Sequence, residues 1–562
     1  MSSPSLTRQR QIVLLFAMIF TLLAIVPYVL HTFHPSFQGF TVIRDKDFGN
    51  YYSRFERALT GHPEEAGNGI TPVGSGITGM QDAGMEAAVG TLLSWTGLSA
   101  PPLAVIISAV LTGVSFFLFY SLFLLLGFSY RLSLLVSSTY YFVLLHVVSR
   151  VIHPGWSLVL TLLALLSFID FSRRPTVARA TVSGLLLALL PYVYFWSWTY
   201  VWAVCFFGAL LITFTSADDG IRKRFLRLLP IVAVLLLLSL PVVWRVLFTL
   251  KGPLGEEVFM RSDFVNTRGV ESPIRSVLLL LQALLMLSLF PRFKHEMRYA
   301  WVLAFLFGIV AAMHQNVLHG KLLMFSSHFY PFLMISTLIA GCFALSMRRG
   351  KHPAPHQENI VLNRSAMLRA FSLRDALILF ITLLFLSGAA VDYLPGYKFF
   401  VPTSPNFSDQ HLLPAIAVLQ GGERETVLTD MTTGRVVTAW TDSGIVYTTH
   451  SRFLFISDAD MAERYCVSYL FSPQSPDPHR SLYMEYNPIL SSKRMRDREN
   501  ALVTEACSRV RKNAAQYLEK YGVAHVLWNS DGQPDWDLKQ YPKLRLYIQT
   551  SGTGFVLYRW VH

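Results

Sequence analysis

Charge is scarce in this polypeptide. Asp, Glu, Lys and Arg supply 15% of its 562 residues, against roughly a quarter in an ordinary soluble protein, and that scarcity excludes a string of soluble domains. Cysteine is rare as well, with four in all. Cys205 and Cys342 lie inside apolar runs and read as packing residues. Cys466 and Cys507 lie near the C-terminal end, where an oxidising compartment would permit a disulfide. Their spacing leaves open whether their Cα atoms come within bonding reach. Long apolar runs are missing beyond Leu394, and the same region has no glycine loop for a nucleotide, no metal-ligand cluster and no nucleophile elbow. The 48 basic residues outnumber the 35 acidic ones by 13, but they sit mostly in short connections between apolar runs. Membrane topology explains them better than a nucleic-acid partner does.

What is abundant is hydrophobicity, at 52% of residues. A bilayer core of about 30 Å takes about 20 apolar residues per helical crossing, and that template fits repeatedly before Leu394. Crossings are expected at 11–31, 101–127, 132–148, 155–171, 180–195, 198–215, 228–250, 274–290, 299–315, 330–347 and 375–394. The first follows Arg8 and Arg10 but is long for a signal peptide and has no small-residue cleavage pattern, so it reads as a retained helix. With the N-terminus inside, every inner connection is basic, from Arg131 to the group Arg348, Arg349, Lys351, Arg364, Arg369 and Arg374. The expected fold class is therefore an α-helical polytopic membrane protein of about 11 transmembrane helices with a C-terminal extracytoplasmic α/β domain. The transmembrane domain spans 1–394, with a long first outer loop at 32–100, and the soluble domain spans 395–562. The protein is expected in the plasma (inner) membrane with its N-terminus cytoplasmic. In the soluble domain, strands are expected at 426–429, 444–448 and 524–528, a helix at 510–521, and a closing hairpin from 544–549 and 554–560.

Polar chemistry gathers on the expected outer face. Arg44, Asp45, Lys46, Asp47, Tyr51, Tyr52, Arg54, Glu56 and Arg57 crowd into one stretch after the first crossing. Asp45 and Asp47 share a face if that stretch is extended and point apart if it is helical. Such carboxylates can take a proton from an acceptor hydroxyl, hold a divalent cation against phosphate, or simply pair with Arg44, Lys46 and Arg54. Glu86 follows the glycine-rich region 67–84, which suits either a closing segment or a plain linker. His153-Pro154 ends a helix on the same side. Arg245 lies within an apolar run, where a charge is expensive and implies a partner or a path to the interface. His314, Asn316, His319, Lys321 and His328 make the last outer connection between crossings unusually polar, and their donors suit an anionic lipid headgroup. The aromatic run Tyr192, Tyr194, Phe195, Trp196, Trp198, Tyr200 and Trp202 reads as an interfacial belt or a stacking surface for sugar.

The order of these features resembles the GT-C superfamily of membrane glycosyltransferases. The resemblance rests on Asp45-x-Asp47 followed by Tyr51, Tyr52 and Arg54, on Asn316-x-x-x-Gly320-Lys321 leading to His328, and on the topology. It implies a polyprenyl-phosphate-linked sugar donor, an acceptor that is a glycan, lipid or protein, and contact with membrane lipids. Asp45 or Asp47 would be the base or the acceptor-orienting carboxylate. Arg44, Tyr52, Arg54, Glu86, His153, Arg245, Asn316, Lys321 and His328 would bind the donor phosphate or substrate. No cofactor is expected, with a divalent Mg or Mn ion at Asp45 and Asp47 the alternative. The Trp-Trp-Asp-Tyr-Gly sequence of the oligosaccharyltransferase catalytic subunit is absent, which favours transfer of one sugar. Two rivals remain: a lipid or polysaccharide transporter, which should carry internal repeats, and an O-antigen ligase or polymerase, which should depend on a large late loop rather than a large first one.

Overall fold

The computed structural model describes residues 6–41, 48–63, 70, 84–215, 218–249, 252–261, 265–266, 268–270, 272–322, 328–346, 373–403, 407, 409–421, 424–448, 451, 454, 456–473, 493–549 and 554–561. Arg44, Asp45 and Asp47 lie outside these residues. Helices follow one another through the first four hundred positions. They are α1 (Leu6–Thr32), α2 (Phe48–Leu59), α3 (Gly84–Leu93), α4 (Ala100–Leu125), α5 (Tyr130–Val148), α6 (Gly155–Arg173), α7 (Val177–Leu189), α8 (Phe195–Thr215) and α9 (Asp219–Leu236). Then come α10 (Leu240–Thr249), α11 (Pro253–Arg261), α12 (Pro273–Leu287), α13 (Phe290–Phe293), α14 (Met297–Met313), α15 (Gln315–His319), α16 (Tyr330–Ser346) and α17 (Leu373–Tyr393). Among the described residues, seven helical segments are long and apolar enough to cross a membrane. The shorter apolar helices Val177–Tyr192, Pro273–Leu287, Met297–Met313 and Tyr330–Ser346 occupy the remaining expected crossings.

Two compact units divide the chain, and neither is continuous in sequence. The first comprises Met1–Ile25, Ile107–Pro241 and Asn266–Lys398. At its centre α14 and α16 are buried on all sides, as helices without a polar face must be. Small residues let helices approach backbone to backbone. A Cβ on Gly308 would stand 2.8 Å from the Val204 backbone nitrogen, and one on Gly113 would stand 2.8 Å from the Ala17 carbonyl oxygen. Three buried pairs of polar groups join different helices, as an apolar surround favours. Tyr200 bonds Ser336 at 3.0 Å, Gln282 donates to Thr382 at 2.9 Å, and Trp156 donates through Nε1 to Ser108 at 2.8 Å.

The second unit comprises Val26–Ile106, Val242–Val265 and Phe399–His562. Earlier in the chain lie the short strands β1 (Val265–Asn266) and β2 (Lys321–Leu322); this unit holds a five-stranded sheet of β3 (Thr426–Leu428), β4 (Gly444–Ile445), β5 (Val523–Asn529), β6 (Leu544–Gln549) and β7 (Phe555–Trp560). The sheet order is β4-β3-β5-β7-β6. β3 runs parallel to β4 and β5, whereas β7 is antiparallel to β5 and β6. The expected strands and closing hairpin are thus present, while the helix expected at 510–521 is two, Lys493–Lys512 and Ala514–Lys520. Cys466 and Cys507 form a disulfide with Cα atoms 4.9 Å apart, joining the helices Asp458–Ser468 and Lys493–Lys512.

The first loop is built into this unit. The Gln410 side chain accepts the backbone N–H groups of Gln38 and Phe40 and donates to the Phe40 carbonyl. Phe40 stacks on Trp440 with ring centres 4.5 Å apart, and Ile70 bridges to Ile445 on β4. A Cβ on Gly90 would stand 2.5 Å from that of Ala58, so α3 crosses α2 closely.

Candidate functional site

Helix α2 begins directly after Asp47 and is buried from Tyr51 to Leu59. Tyr52 and Phe55 are fully enclosed, and the charged residues Arg54, Glu56 and Arg57 are enclosed with them. Three charges on one buried turn need compensation. Arg54 faces Glu86 of α3 at 3.7 Å, with 4% and 0% of the two side chains exposed. Arg57 approaches Asp442 at 4.0 Å, and the same carboxylate meets Arg424 at 3.3 Å and His62 at 3.8 Å. Glu56 accepts the backbone N–H of Ala100, the first residue of α4. Burial pushes the Glu56 carboxyl up to about 7; the Ala100 N–H opposes that rise and the negative charge of Asp442 adds to it. A carboxyl that exchanges its proton near neutrality is what acid–base chemistry requires.

A second cluster lies within the first unit and joins residues far apart in sequence. His153 stacks on Tyr194 with ring centres 4.9 Å apart and planes 6° from parallel. The Tyr194 hydroxyl is hydrogen-bonded to Nδ1 of His328, and His328 stacks on Trp196 at 4.4 Å. His153, Tyr194 and Trp196 are buried, while His328 is half-buried. Where the Tyr194 hydroxyl donates, the neutral His328 ring carries its proton on Nε2. Ile152, just before His153, has φ of 65°, a strained conformation for a β-branched residue and one that concentrates at functional sites. Ser108 holds this turn, accepting from the Ile152 backbone N–H at 3.4 Å and from Trp156 Nε1.

The structure therefore brings Arg54 to Glu86 in one unit, and His153 to His328 in the other. Asn316 is buried on α15 and donates to the Gly269 carbonyl at 2.7 Å. Arg245 lies on α10 and Lys321 on β2, with side chains outside the described residues. His314 is engaged at both ring nitrogens, by the Val310 carbonyl and the Ser276 hydroxyl, each at 2.8 Å, which makes it a packing residue. In the aromatic run Tyr194, Trp196 and Tyr200 are buried, whereas Tyr192, Phe195, Trp198 and Trp202 are part-exposed. Among the described residues, no group of three or more His, Cys, Asp or Glu side chains could hold a metal ion.

The order of helices and the sheet-bearing C-terminal region define the class: a helical, multi-span membrane protein with, among the described residues, seven helical segments long and apolar enough to cross a bilayer. Its fold is similar to that of a solved structure, the arabinofuranosyltransferase AftD from Mycobacteria, determined by cryo-EM. That likeness covers 100% of this chain at 14% identity with a TM-score of 0.51. The chain spans 40% of the length of that protein. No family model matches the sequence, and no curated protein does either.

Proposed function

We propose that this protein is a membrane glycosyltransferase that moves one sugar from a polyprenyl-phosphate-linked donor to a glycan, lipid or protein acceptor at the outer face of the membrane. The observation that supports this reading is α2, which buries Arg54, Glu56 and Arg57 immediately after Asp45-x-Asp47 in a chain of GT-C-type fold. A water-poor enclosure with paired charges is suited to orienting an acceptor and receiving its proton. The acceptor hydroxyl oxygen attacks the anomeric carbon. The bond from that carbon to the phosphate oxygen breaks, and the electron pair leaves with the polyprenyl phosphate. The hydroxyl proton passes to Asp45 or Asp47. His153 and His328 would donate hydrogen bonds to the departing phosphate, Lys321 would balance its charge, and the rings of Tyr194 and Trp196 would offer apolar faces to the donor.

The test uses the purified protein in nanodiscs with a panel of polyprenyl-phosphate sugars and candidate acceptors, following release of sugar from the lipid. Release that disappears in Asp45→Asn or Asp47→Asn is the expected result. Full activity in both variants would remove the assignment of the base. Donors that stay intact with acceptors present, and instead cross the bilayer, would replace the enzyme with a transporter.

A further inference from the structure

Between α3 and α4 the chain makes a single 3-10 turn, Ser94–Thr96, ending at Gly97 with φ of 65°. This turn is the opposite of an ordinary surface loop. Trp95 is 82% exposed, Leu92 72% and Leu98 48%. From Ala87 to Tyr130 the sequence contains no Asp, Glu, Lys or Arg, so the uncharged stretch begins well before α4 does. The polar groups of the turn are satisfied locally. Ser94 donates to the Thr91 carbonyl at 3.0 Å, and Thr96 donates to the Leu93 carbonyl at 2.8 Å while accepting from the Leu98 N–H at 3.4 Å. Internal satisfaction is what lets a polar backbone enter a region poor in water.

The length of α4 sets the depth. Its 26 residues extend about 39 Å at roughly 1.5 Å per residue, against a hydrocarbon core of about 30 Å. The excess of about 9 Å brings the ends of α4 to the headgroup layer, and Leu98 lies two positions before Ala100 at its N-terminal end. A tryptophan with flanking leucines, uncharged and at that level, fits the zone where an amphipathic ring keeps one side apolar and the other wet. A protein partner would find no charge here to fix its register.

We propose that residues 92–98 form a lipid-binding anchor, seated in the headgroup–acyl boundary of the same membrane that α4 enters. The inference rests on the membrane helices and stands whether or not the protein transfers sugar.

The full chain is reconstituted in phosphatidylcholine–phosphatidylglycerol nanodiscs carrying a nitroxide at Trp95→Cys, with Lys539→Cys as the water-exposed reference. Power saturation with oxygen and a nickel chelate should give a ratio of oxygen to chelate accessibility above unity at Trp95 and below unity at Lys539. A chelate-accessible label at Trp95, or one shielded from both reagents by a second copy, overturns the proposal. A parallel measurement avoids labelling: brominated lipid quenches tryptophan fluorescence of the unmodified protein, and Trp95→Phe should lose part of the quenched signal. An unchanged quenched fraction in Trp95→Phe likewise overturns it.

Discussion

Replacing Glu56 by Gln should make the protein more stable at alkaline pH and leave it little changed in acid. Burial raises this carboxyl from an ordinary 4.5 to about 7, and each unit corresponds to about 1.36 kcal/mol. Ionising Glu56 in the folded protein is therefore costlier than in the unfolded chain by about 3 kcal/mol. The sign follows from proton counting. Between pH 4.5 and about 7 the folded form binds more protons than the unfolded form, so stability falls as pH rises through that window and stays low above it. Glutamine keeps a carbonyl oxygen to accept the Ala100 N–H but carries no charge to desolvate, and no repulsion toward Asp442. Thermal unfolding in nanodiscs from pH 5 to 8.5 checks this. The melting temperature of Glu56→Gln should draw away upward from that of the unsubstituted protein as pH rises, and Asp442→Asn should move the window to lower pH. A variant that is equally stable, or less stable, at pH 8 would refute the account of Glu56 as an enclosed carboxyl of raised pKa.

Two further perturbations probe the second unit. Glu86→Ala leaves Arg54 enclosed without its 3.7 Å partner and should cost about 3–5 kcal/mol, with Arg54→Met/Glu86→Leu costing less; equal melting temperatures for Glu86→Ala and the unsubstituted protein would show that the pair is not a closed one. Reducing Cys466–Cys507, whose sequence separation is 41, should remove about 4 kcal/mol on the loop-entropy estimate, read as a lower denaturation midpoint with dithiothreitol; an unmoved midpoint would place the residual order of the unfolded chain above the crosslink.

The crossings were legible because a bilayer imposes a length that composition alone can meet: α4, α5, α6, α8 and α17 fall within a few residues of the expected runs. The hairpin of β6 and β7 was legible from its turn residues. Burial of polar residues was not. Arg54, Glu56 and Arg57 read only as part of a charged stretch on the outer face, since their partners Glu86, Ala100 and Asp442 are distant in sequence and no local pattern points to them. Glu56 was in plain view within the first-loop stretch, yet its raised pKa arises from enclosure, which spacing does not encode. His153 and His328 were each noticed for polarity near a helix end, but the stack through Tyr194 and Trp196 that joins them is tertiary.

The stitching of the first loop by Gln410 carries a consequence for biogenesis. Gln38 meets its acceptor 372 residues later in the chain, which at about 5–20 residues per second is about 20–75 s of synthesis. Throughout that interval α2 exists without the helix Met431–Trp440 and without Asp442, so its apolar and charged faces have no finished enclosure. Early helices insert while their own extramembrane segment waits for the last third of the protein. Ribosome stalling anywhere between Leu59 and Asp442 would strand the nascent chain with that surface uncovered.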